Sequence, residues 1–162
     1  TTELSLAAGQ WVEVVAGASV LAEPIGASYV FEGGYGCGQP IPDLIPIGVP
    51  SLGRTFSVDV TNLVAGTIAP VMLTGFSNTR WGGVDLPWDA SPIGMSGCLL
   101  RTDITFFDAM AVNGDRARWS FTFPTSTALG GLAFFQQAVV VQPGANAAGL
   151  VFSNAYRGVI GT

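Results

Sequence analysis

Histidine and lysine are absent from the 162 residues, and each absence removes chemistry. Without histidine the usual general base and commonest metal ligand are missing, and a Ser-His-Asp triad is impossible. Without lysine there is no Schiff-base nucleophile. The chain also lacks a Gly-x-Ser-x-Gly elbow, a phosphate-cradling loop and any Cys/His zinc spacing. Only paired carboxylates remain as catalytic chemistry, and the chain is read as no enzyme.

Charge of either sign is scarce, at 10% of residues against the roughly 25% usual for a soluble domain. Much of the exterior must therefore be uncharged polar or apolar, which favours association with copies of itself. The six basic residues are all arginines, scattered from Arg54 to Arg157. They form no basic patch, so nucleic acid and anionic membranes are poor partners. No run of about 18 apolar residues occurs, which excludes a transmembrane helix. No signal-peptide pattern opens the chain at Thr1, and the expectation is that any such segment has already been removed.

Two cysteines, Cys37 and Cys98, each sit in a glycine-rich turn context and allow one pairing. A bridge would close a long loop and imply an extracellular or cell-surface protein; the alternative is two buried free thiols.

Short alternating stretches recur along the chain, with no helix-length pattern of period 3.6. Strands are predicted over 2–7, 10–16, 19–22, 28–32, 54–61, 69–76, 99–107, 108–112, 116–123, 131–141, 148–154 and 156–160. The Pro/Gly-rich passage 33–50 is predicted to hold no element. Asn113-Gly114-Asp115 is a strong hairpin signal, and Trp119, Phe121 and Phe123 share a face expected to belong to a core. The spacing predicts an all-β sandwich, jelly-roll or Ig-like, of short strands with long Gly/Pro-rich loops. A transmembrane β-barrel fits less well, because the aromatics lie on core-type faces and the loops are long.

The segment from Leu73 to Cys98 has too many glycines and prolines for helix or regular strand, and reads as a long, shaped loop. Within it Trp81, Trp88, Asp85 and Asp89 form a candidate glycan platform of aromatic faces and carboxylates. The plainer reading packs both tryptophans over the disulfide and uses the aspartates as turn caps. Asp103, Asp108 and Asp115 lie near predicted strand ends and are weak calcium candidates, without any Asp-x-Asp-x-Asp-Gly loop; no other cofactor is expected.

From Tyr35 onward a set of short motifs recurs: Tyr35-Gly36-Cys37-Gly38, Pro50-Ser51-Leu52-Gly53, Gly75-Phe76-Ser77-Asn78-Thr79, Trp81-Gly82-Gly83, Pro92-Ile93-Gly94-Met95 and Pro143-Gly144-Ala145-Asn146. In these, residues 35–162 resemble the β-rich C-terminal domain of secreted proteins of planctomycetes and related bacteria. The resemblance implies a secreted, sandwich-like, non-catalytic module and carries no catalytic residues.

Residues 1–34 fall outside that match and form a separate N-terminal strand segment. Its Leu4, Leu6, Trp11, Val12 and Val14 are candidate assembly residues, since a strand outside the matched domain can complete a neighbour's sheet. The bland alternative is an ordinary edge strand of its own sheet. The expected function is a self-assembling extracellular structural protein, a homo-oligomer or polymer; the alternative is a glycan-binding or adhesion module.

Overall fold

The computed structural model describes residues 2–5, 11–14 and 25–162, and these form an all-β fold. Thr2–Ser5 (β1) and Trp11–Val14 (β2) pair antiparallel with each other, Leu4 opposite Val12, as a two-stranded ribbon of their own. The predicted strand at 19–22 and the residue Leu6 lie outside the described residues.

Beyond the ribbon come Ser28–Gly33 (β3), Asp43–Ile47 (β4), Thr55–Thr61 (β5) and Val71–Gly75 (β6). Three two-residue strands follow, Arg80–Trp81 (β7), Val84–Asp85 (β8) and Trp88–Asp89 (β9), with Leu99–Leu100 (β10) after them. Phe106–Ala109 (β11), Val112–Asn113 (β12), Arg116–Thr122 (β13), Ala133–Val141 (β14) and Leu150–Val159 (β15) complete the chain. One sheet has the order β11-β6-β14-β15-β3 and the other β12-β13-β5-β4. Among the described residues these are two open sheets, not a closed barrel.

Alternation in β5 sends Phe56, Val58 and Val60 inward, where all three are fully buried. They meet Met72, Phe134, Ala138, Val140 and Val151 from the other sheet, and the Phe56 ring lies 4.9 Å from that of Tyr29. Tyr29 donates its hydroxyl to Gln136 Oε1, and burial pushes its ionisation well above the ordinary tyrosine range. On the outer face of β5, next to Asp59, two of the pairs with β13 are uncharged: Ser57 Oγ lies 2.8 Å from Ser120 Oγ, and Thr55 Oγ1 lies 2.7 Å from Thr122 Oγ1. Cross-strand hydroxyl pairs thus take the place that charges hold on most sheets.

Charge is used once at depth. Arg118 donates from Nε and Nη2 to the two oxygens of the buried Asp59, at 2.7 and 2.9 Å. That bidentate bond holds the Asp59 carboxyl below its usual range, against the opposing effect of burial. A lowered folded-state value means stability that is present above the unfolded carboxylate pKa, about 4, and lost as pH falls below it. Asp59→Asn is expected to cost about 1–2 kcal/mol at pH 7, discounted because Arg118 is more than half exposed, and less at about pH 3, where the unfolded carboxyl is mostly protonated. Urea unfolding at the two pH values measures the difference.

The structure corrects five sequence expectations. The passage 33–50 does contain a strand, β4, whose Pro46 had counted against it. As an edge strand, β4 tolerates a proline that lacks a donor. Residues 99–107 are not one strand, because Leu99 and Leu100 pair with β9 while Phe106 onward pairs with β6. Residues 108–112 divide between the two sheets, the chain crossing after Ala109. Phe121 does not belong to the core: it is 46% exposed, between the buried Trp119 and Phe123. The stretches 148–154 and 156–160 form one strand, β15, with an irregularity between Ala155 and Tyr156.

The two sides of the sandwich differ. On the β3/β4 side the sheets are stitched together: Leu44 N–H donates to Asn154 Oδ1 at 2.9 Å, and Asn154 Nδ2 donates to Asp43 Oδ1. On the β11/β13 side the indole N–H of Trp119 donates across the seam to Asp108 Oδ2 at 3.0 Å, and beside that bond the seam is open as a groove.

Candidate functional site

Two regions carry the candidate residues, the Gly/Trp loop and the open seam. The loop is held at its base by the Cys37–Cys98 disulfide, which the structure shows formed. Met95 and Ala90 are buried beneath it, and their backbones close the turn through Ala90 N–H to Cys98 O and Met95 N–H to Ala90 O. Gln137, buried in β14, ties the exit of the loop to the sheet: its Nε2 donates to Leu99 O and Ser153 O, and its Oε1 accepts from Arg101 N–H. The sequence reading missed this anchor, since a glutamine in an apolar strand has no signature beyond being polar at an inward position.

The four predicted platform residues are divided by this architecture. Trp81 and Val84 face each other across the Gly82-Gly83 turn, and Trp81 stays 38% exposed. Trp88 instead pairs with Leu100 and packs on the core. Asp85 meets Arg80 at 3.4 Å, both well exposed. Asp89 accepts from the N–H and the hydroxyl of Ser91, which hold its carboxyl below the usual range.

The calcium candidates bond to separate partners. Asp103 accepts from Ser77 N–H and Thr105 Oγ1, Asp108 from the indole N–H of Trp119 at 3.0 Å, and Asp115 lies 3.6 Å from Arg116. Among the described residues no group of three or more His, Cys, Asp or Glu side chains is placed to hold a metal ion. Nor is any helix there long and apolar enough to cross a membrane.

The seam is the second region. Between β6 and β11 on one wall and β13 on the other lies a groove of about 370 Å³, lined by Phe76, Phe106, Trp119, Phe121, Phe123 and Phe134 among others. The aromatic rings pack along it, Phe121 stacked on Trp119 at 9° and edge-on to Phe123 at 74°. Phe76 and Phe106 make a further edge-on pair across β6 and β11. Leu129, Leu132 and Ile160 close one end.

Both strands that flank the groove are edges. In the described sheets β11 has no neighbour on its outer side, and β13 meets β12 only at Ala117 and Arg116. Edge strands of soluble proteins are usually blunted by lysine, proline or a bulge. β11 has no lysine, proline or bulge; it is kept to four residues and carries Asp108, yet it exposes Phe106 at 56% and Phe107 at 72%. One signal in the sequence pointed here, the adjacent pair Phe106-Phe107. Consecutive residues of a strand face opposite ways, so one of the two had to lie outside the core.

Leu4, Trp11, Val12 and Val14 are all placed in the β1/β2 ribbon, which belongs to neither main sheet. No family model, curated protein or solved structure matches this chain.

Proposed function

We propose that this chain is a non-catalytic extracellular structural protein that self-assembles, as the subunit of a filament, fibre or surface layer. The observation that carries the reading is the edge strand β11, which exposes two adjacent phenylalanines beside an open aromatic groove. An edge of this kind is a template for pairing with another chain. The disulfide agrees with an oxidising, extracytoplasmic setting. The charge-poor exterior supports packing against like surfaces.

Negative-stain microscopy and a sedimentation dilution series of the full chain test the reading. Polymers that dissociate on dilution are expected; a monomer at every concentration overturns it. A second reading, glycan binding through the Gly/Trp loop, rests on the exposed ring of Trp81. A shift in tryptophan emission on glycan titration that Trp81→Ala abolishes would favour it.

A further inference from the structure

We infer that the groove between β11 and β13 is the acceptor site for the N-terminal strand segment of a second copy of this chain, an inference that rests on the self-assembly reading. An added strand between the two open edges would satisfy their outward N–H and C=O groups and cover the aromatic floor. Trp119, Phe121 and Phe123 recur at two-residue spacing along β13, the spacing at which a paired strand presents its own side chains. The segment has that pattern twice, in Leu4 and Leu6 and in Val12 and Val14.

Where the segment leaves the sandwich also fits. Ile25 N–H donates to Thr162 Oγ1 and Ile25 O accepts from Thr162 N–H, beside Gly130 and Gly131. Those residues adjoin Leu129, Leu132 and Ile160, the apolar end of the groove. Residues 1–24 span up to about 80 Å when extended, enough to reach a neighbouring molecule. The β1/β2 ribbon pairs within itself, and an isolated two-stranded hairpin is marginally stable in water, so it is available to re-pair.

Several observations point to a second copy as the source of the strand. Phe107 stands on β11 next to the groove residue Phe106, on the opposite face, and is 72% exposed. A strand folding back into its own groove would leave Phe107 bare, whereas the body of a neighbour can cover it. Residues 1–34 carry four glutamates and no basic residue, whereas residues 35–162 nearly balance six arginines against seven aspartates, so the donor meets no strongly acidic body. The contact is heterologous, and repeated without closing it generates an open polymer.

Two full-length variants test this. Phe121→Arg removes the acceptor and keeps the donor; the double variant Leu4→Arg, Val12→Arg does the reverse. Each alone is expected to associate at least roughly 30-fold more weakly than the parent chain, as loss of an interface anchor implies. Mixed, they are expected to form discrete 1:1 heterodimers by sedimentation. Phe121→Leu, which keeps an apolar side chain, is expected to polymerise, separating lost contact from lost fold. If the parent chain polymerises and either charged variant does too, or if the mixture yields no heterodimer, the groove is not the acceptor while self-assembly stands. A parent chain that stays monomeric, including one whose own segment fills its groove, overturns both.

Discussion

Phe56→Ala is expected to lower unfolding stability by about 4 kcal/mol, the usual cost of emptying a buried aromatic site. Phe56 is fully buried in β5, an interior strand of its sheet. Its ring meets Tyr29 at 4.9 Å and Trp119 at 6.3 Å, so it joins β3 of one sheet to β13 of the other. Alanine leaves a cavity that two packed sheets cannot collapse to fill, and it removes the support behind Trp119, which forms the floor of the groove. Urea unfolding should give a lower midpoint with an unchanged slope. A loss under about 1.5 kcal/mol would mean that the sheets close over the gap. Near-ultraviolet circular dichroism of the folded variant should also change, because Trp119 and Phe121 lose a fixed neighbour.

Replacing both cysteines by serine is expected to cost about 4 kcal/mol in the chain-entropy model, given the 61-residue separation of Cys37 and Cys98. The variant removes the covalent tie at the base of the Gly/Trp loop. What then holds the loop is the buried Met95, the Gln137 clamp and the contact of Gly94 O with Ala148 N–H. The loop should therefore open before the sheets do, and hydrogen exchange should report it first at the amides of positions 90 and 98. The groove lies along another seam, lined by none of these residues. Polymer formation measured well below the new unfolding midpoint should consequently be retained. Loss of assembly in a variant that is still folded would link the loop to the polymer contact.

Reading the chain as sequence worked where one local rule acted alone. The alternation of Phe56, Val58 and Val60 and the continuous run of β14 identify strands, because period-two burial is visible in residue types. The Asn113-Gly114 turn is equally local. Elements whose character depends on a neighbour were not legible. β4 is a strand in spite of Pro46 because it lies at an edge. Residues 99–107 break because their two ends find different partners, β9 and β6. The platform residues dispersed for the same reason: Trp88 pairs with the buried Leu100 and packs on the core, whereas Trp81 pairs with the exposed Val84.

The groove shows the division best. The sequence by itself determined a chain short of charge and without histidine or lysine, from composition, and an all-β class, from local alternation and spacing. Neither needs coordinates. Which apolar residues stay outside was decided by tertiary structure. Trp119, Phe121 and Phe123 have the same alternation, and only the gap between β11 and β13 leaves Phe121 uncovered while its two neighbours are buried. Burial depends on what packs opposite a strand, and strand order arises from contacts between residues far apart in the chain, where periodicity carries no information.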